Sequence, residues 1–208
     1  MKFIKKLALG IFTFLLMQPL NVFGQDSITE KDEPVYITVT KGHWSSNPDM
    51  DYSDWLKTEK EYFDKVTKKN NLIIGSGFYT HYFTTDNSEI LFVSVYKTWE
   101  DIEKANKITA KLIKEAWPNK EERDAFFKKQ QAYYSPMHSD EIYSSMTFNK
   151  ELKAESTKPL IFYAKKNELA LDGKGSSDNF KEFFENVTAK NKYIKGYYTH
   201  RHLWGSNS

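Results

Sequence analysis

The chain has 208 residues, 30 basic and 28 acidic side chains, a formal charge of +2 and no cysteine. That length allows one or two domains, and the missing cysteine excludes disulfides, thiolate metal sites, a cysteine nucleophile and a lipid-modified cysteine. Lys2, Lys5 and Lys6 sit in a segment read below as removable; without them 27 basic residues face 28 acidic ones, which leaves no global bias toward nucleic acid or anionic lipid.

In chain order, Met1 to Gly24 has a positive start, an apolar run from Leu7 to Leu20, and Val22-Phe23-Gly24 at its end. That is the layout of a secretory signal peptide, and the run is short for a spanning helix. Cleavage after Gly24 would leave Gln25 first and place the protein in a periplasmic or secreted setting. Gln25 to Glu33 is a polar leader. Pro34 opens a β-branched and aromatic run, Val35 to Thr40, the first predicted strand, and Gly42 to Met50 reads as a loop carrying His43 and Trp44.

From Asp51 the period becomes helical, with Trp55, Leu56, Tyr62, Phe63 and Val66 on one stripe and a stop at Asn70-Asn71. Leu72 to Thr85 is predicted as the second strand and Glu89 to Tyr96 as the third, joined by the turn residues Asp86-Asn87-Ser88. Thr98 with Asp101 forms a capping box for a helix whose stripe is Ile102, Ala105, Thr109, Leu112 and Ala116. Pro118 stops it, Asn119 caps another helix with Ala125, Phe126 and Tyr133, and Glu141 to Phe148 is the fourth strand.

A second pass then begins. Lys150 to Lys158 reads as a linker, Pro159 opens Leu160 to Ala164 as Pro34 opens the first strand, and Phe180, Phe183, Phe184 and Val187 repeat the first helical stripe. Phe63-Asp64 to Asn70 and Gly77-Phe78-Tyr79-Thr80-His81 match Phe184-Glu185 to Asn191 and Gly196-Tyr197-Tyr198-Thr199-His200. A Tyr-Thr-His triplet at the same place in both points to an internal duplication. The second copy stops after β-α-β, near Gly205-Ser206-Asn207-Ser208, which reads as a truncated copy or as a half-copy completed by packing onto the first domain or by dimerisation. The expected organisation is 1–24 signal peptide, 25–33 leader, 34–149 first domain, 150–158 linker and 159–208 partial second copy.

The β-α-β-β-α-β order of the first copy resembles the ferredoxin-like dimeric α/β-barrel superfamily, which includes antibiotic-biosynthesis-type monooxygenases and stress-responsive barrel proteins. The fold class implied is α+β, an antiparallel sheet with helices on one face, followed by a partial second copy. The resemblance rests on topology over Val35 to Phe148 and part of Leu160 to Leu203, and transfers no activity by itself.

Within that frame, alternation puts Tyr79, His81 and Phe83 on one face of the second strand, and Tyr198, His200 and His202 on one face of its counterpart. Trp44 would stand at a pocket mouth. Trp44, Tyr79, His81, Tyr198 and His200 are therefore the candidate ligand-binding residues, and His81 the candidate acid or base; the alternative for Tyr79 and His81 is packing. His200 and His202 stand two apart on a strand, but no third ligand is visible, so no metal is assigned, and no cofactor either. No phosphate-binding glycine loop or nucleophile elbow is present. The reading is an exported, non-enzymatic ligand-binding or interaction module. It takes a small aromatic ligand, binds no nucleic acid, does not stay inserted in a membrane after cleavage, and pairs as a homodimer or through its two copies. The alternative is a cofactor-independent monooxygenase- or isomerase-like enzyme acting on an aromatic or haem-like ligand.

Overall fold

The computed structural model describes residues 33–46, 51–152, 160–167 and 177–205. The segment read as a signal peptide, all but Glu33 of the segment read as a leader, most of the expected linker and the final Ser206-Asn207-Ser208 lie outside them. Two compact units are present, one within Leu16–Ser144 together with Arg201–Ser208, the other within Ser145–His200.

The first unit is α+β. Its elements are β1 (Tyr36–His43), α1 (Tyr52–Lys65), a 3₁₀ turn (Thr67–Lys69), β2 (Gly75–Thr80), β3 (Glu89–Tyr96), α2 (Trp99–Ala116), α3 (Lys120–Gln131) and β4 (Ser139–Ser145). A further strand, β5 (His200–Gly205), completes a five-stranded sheet of order β2-β3-β1-β4-β5. β1 pairs antiparallel with both β3 and β4, and β2 with β3. This α+β arrangement is compatible with a ferredoxin-like fold.

Local chemistry accounts for the helices. Asp51 caps α1 by accepting from Asp54 N at 2.7 Å, and the i,i+4 pairs Lys60–Asp64 and Glu61–Lys65 line its outer face. Thr98 and Asp101 form the reciprocal capping box of α2, each bond at 3.2 Å. Asn119 Oδ1 accepts from Glu121 N and Glu122 N at the start of α3.

Register then sets which side chains meet. Thr40 lies opposite Phe92, and Phe92 opposite Phe78, so the three form a row on one face of the sheet. Trp55 of α1 packs edge-on against Phe78 at 4.9 Å. Ile90 and Tyr96, on that same face by alternation, are buried, as are Trp55, Val66, Ala105 and Trp117. Tyr79 and Leu91 pair on the opposite face.

The second unit is built differently from the expected copy. Leu160 to Ala164, read as a strand, form none, and residues 160–167 are all exposed. An α-helix, α4 (Ser177–Phe183), runs into a π-helical turn, Phe184–Thr188, closed by Ala189 N donating to Phe184 O at 2.8 Å. Phe184 contacts Phe148 and Tyr197 with ring centroids 6.1 and 6.0 Å apart, whereas Phe180, Phe183 and Val187 are exposed. Lys150 and Tyr197 exchange two backbone hydrogen bonds of 2.8 Å.

The two Tyr-Thr-His triplets consequently occupy unlike settings. Tyr79-Thr80 ends β2 with His81 beyond it, while Tyr198-Thr199 precedes β5 and His200 begins it. The segment from Arg201 joins the first sheet beside β4 instead of heading a sheet of its own. Gly205 explains how closely it can approach: at φ +119°, a Cβ there would fall 2.3 Å from the Asp140 carbonyl oxygen and 2.8 Å from Glu141 Cα. Gly205→Ala is therefore expected to cost about 1–3 kcal/mol locally. Amide exchange should speed up across Arg201–Gly205 while β1 and β3 stay protected.

Candidate functional site

On the helix-facing side of the sheet lies an open cleft of about 400 Å³, lined by Thr40, Gly42, Glu59, Tyr62, Phe92, Phe127, Gln130 and Tyr134. β1 and β3 supply its floor, α1 supplies Glu59 and Tyr62, and α3 with the residues after it supplies Phe127, Gln130 and Tyr134. Gly42 contributes no side chain to the floor; a Cβ there would make an ordinary contact with the Phe92 ring at 3.7 Å.

Its polar centre is Glu59, which is only 8% exposed. The carboxyl is buried because Trp55, Glu59, Tyr62 and Val66 form one helical stripe, with spacings of four, three and four residues. Tyr134 Oη donates to Glu59 Oε1 at 2.6 Å, and Gln130 Nε2 donates to the same oxygen at 3.0 Å. Trp55 Nε1 donates to Tyr134 Oη at 2.6 Å. The indole N–H thereby turns the phenol into a committed donor toward Glu59. Oε2 accepts no hydrogen bond among the described residues, so it is the carboxyl oxygen left for an occupant of the cleft.

Burial raises the Glu59 pKa from its ordinary 4.5, and the Tyr134 and Gln130 hydrogen bonds offset only part of that. Tyr134 is pushed up as well, by burial and by the neighbouring Glu59 charge. A carboxyl that is easier to protonate folded than unfolded stabilises most below pH 4.5, and the contribution falls as pH rises through the raised folded pKa. Glu59→Gln keeps an acceptor for Tyr134 and removes that titration. Its stability curve should stay flatter than wild type above pH 4.5, read from urea midpoints at several pH values.

A second polar group borders this one. Tyr133 Oη donates to Asp54 Oδ2 at 2.6 Å and Lys129 Nζ pairs with Asp54 at 2.9 Å. These bonds hold the Asp54 carboxyl below its ordinary range and tie α3 to the start of α1.

None of the five residues expected to bind ligand lines the cleft. Trp44 comes nearest: its ring is edge-on to Trp55 at 4.8 Å and parallel to Tyr134 at 6.2 Å, behind the hydrogen-bonded chain. Tyr79 is half-buried on the other sheet face. His81 is a turn residue and not a strand residue, because β2 ends at Thr80; its Nδ1 lies 2.6 Å from Thr84 Oγ1 and accepts from Thr84 N at 3.2 Å. In the second unit Tyr198 is exposed and its Oη accepts from Leu152 N at 2.9 Å. His200 is exposed as well, and the protein atoms around it lower its pKa by desolvation. Among the described residues no group of three or more His, Asp or Glu is placed to hold a metal ion, and no helix is long and apolar enough to cross a membrane.

No family model matches the chain, and no curated protein matches it. Solved structures that are similar in part include the following two. One is a conserved protein from Methanosarcina mazei Go1, with a TM-score of 0.36 and 10% identity over 52% of this chain and 90% of that one. The other is a NIPSNAP family protein of unknown function from Agrobacterium tumefaciens, with a TM-score of 0.35 and 12% identity over 52% of this chain and 85% of that one. Neither likeness assigns this chain a family or an activity.

Proposed function

We propose that the chain is an exported ligand-binding module whose site is the Glu59 cleft, and that the ligand is a small aromatic molecule. One observation carries the reading: a buried carboxyl with one oxygen uncommitted stands among half-buried rings in a cleft large enough for a single-ring compound. Tyr62, Phe92, Phe127 and Tyr134 offer ring faces and edges for stacking, and Thr40 and Gln130 offer polar contacts. Pairing of two copies through the other sheet face, where Val39, Leu91 and Val93 lie, belongs to the same proposal; sedimentation as a monomer at tens of micromolar would remove it. Export is tested by the N-terminal mass of the protein recovered outside the cytoplasm, with Gln25 as the expected first residue.

Ligand-observed NMR with benzylamine, benzyl alcohol and indole tests the binding reading. At least one compound should bind the wild-type protein in the millimolar range or better. Phe127→Ala should weaken that binding about fivefold, in line with loss of an aromatic contact of about 1 kcal/mol. Binding untouched by Phe127→Ala would place the site elsewhere, and no binding by any of the three would remove it.

The raised Glu59 pKa favours a second reading, a cofactor-independent isomerase- or monooxygenase-like enzyme on an aromatic or haem-like ligand. Glu59 would pass a proton through Oε2 while Tyr134 holds Oε1. Chromatography with NMR of the compounds after incubation tests it, since an isomer keeps the mass of its substrate; ligand recovered unchanged by both wild type and Glu59→Gln sinks catalysis and leaves binding intact.

A further inference from the structure

We infer that the Glu59 cleft selects an organic cation, an aromatic or alkyl ammonium group whose N–H meets Glu59 Oε2. This rests on the cleft being a ligand site and adds the charge of what it takes.

The first ground is the charge inventory. The acids nearest in sequence on α1 each have a lysine: Lys129 for Asp54, Lys65 for Glu61 and Lys60 for Asp64. Glu59 has none among the described residues, and its hydrogen bonds come from the neutral donors Tyr134 and Gln130. Its helical neighbours at three and four positions, Trp55, Leu56, Tyr62 and Phe63, are all uncharged. The cleft lining contains no Lys, Arg or His. A carboxylate taken out of water without a counter-charge is costly, and a cationic ligand would supply that charge.

The second ground is the ring arrangement. Phe92 and Tyr134 meet edge-to-face at 5.5 Å and 79°, and Tyr62 and Phe127 at 6.2 Å and 77°. Four rings around one acid, with no basic group, give a negative potential at ring faces and carboxyl alike. An anion entering the same space would meet that potential with no basic partner to offset it.

The test uses three probes of one shape, benzylamine (cationic at pH 7), benzyl alcohol (neutral) and benzoate (anionic), titrated calorimetrically into the full chain. Wild type should bind benzylamine at least tenfold tighter than benzyl alcohol and show no binding of benzoate. Glu59→Gln, checked for folding by its thermal melt, should bring benzylamine down to the level of benzyl alcohol. Should the variant fail to fold, the amine-to-alcohol ratio on wild type still decides. Benzyl alcohol or benzoate binding as tightly as benzylamine overturns the cation inference while the cleft remains a ligand site. An amine preference that survives intact in folded Glu59→Gln overturns it too. If none of the three binds, this inference falls; the cleft reading falls with it if indole fails to bind as well.

Discussion

Trp55→Ala is expected to cost about 3–5 kcal/mol, a large part of the roughly 5–15 kcal/mol that holds a domain of this kind folded. The side chain is 0% exposed. Its ring meets Trp44, Tyr52 and Phe78 at centroid distances of 4.8, 5.0 and 4.9 Å, so removing it leaves a cavity bounded by stiff aromatic groups that collapse poorly. It also strips Tyr134 Oη of its donor. Urea unfolding should show a sharply lowered midpoint and near-UV dichroism a loss of aromatic signal. Trp55→Phe separates the two contributions: most of the ring volume stays, the N–H goes, and the cost should fall to about 1–2 kcal/mol. A Trp55→Ala penalty under about 1 kcal/mol would mean that this cluster is not the core of the unit.

The next largest effect is expected at Asn70, 1% exposed, where the sequence marks the stop of the first helix. Asn70 Nδ2 donates to Ala105 O and to Thr109 Oγ1, both at 2.9 Å, and Oδ1 accepts from Leu72 N at 3.2 Å. One amide therefore fixes the exit from α1 to the middle of α2. Asn70→Ala should cost about 2–3 kcal/mol, since it leaves a backbone N–H unsatisfied and opens a hole in a packed interior. Asn70→Asp is the sharper variant. It keeps the acceptor for Leu72 but turns a carboxylate oxygen toward the Ala105 carbonyl, so it should be less stable than wild type at neutral pH and recover as acid protonates it. Equal urea midpoints for wild type and Asn70→Asp at pH 7 would contradict the geometry.

How far the sequence spoke differs between the two units and the site. Glu89–Tyr96 was readable as a strand to the residue, and Thr98 with Asp101 as a helix start, because alternation and capping are local chemistry. The end of β2 was not. Leu72 to Thr85 reads as continuous β sequence, yet His81 folds back on Thr84, Phe83 takes φ 54°, and both Tyr82 and Phe83 are exposed. The second pass misled for another reason. Leu160 to Ala164 has strand composition, but a strand exists only where a neighbour offers its backbone, and residues 160–167 carry no strand. The site escaped because the stripe of the first helix was traced through Trp55, Leu56, Tyr62, Phe63 and Val66 alone, with Glu59 left out of it. The spacing that makes Trp55, Tyr62 and Val66 a stripe includes Glu59, and a charged residue on such a stripe is itself the signal.

β5 carries a consequence for how the molecule is made. Roughly 55 residues separate it from β4, the strand it lies beside. While the polypeptide is being synthesised, β4 must wait with one row of backbone donors and acceptors uncovered, open to a neighbouring nascent chain. The slow step of maturation should then be the closing of that border, and crowding or a missing Arg201–Gly205 should show up as clumping of new chains long before any lost packing around Trp55 is felt.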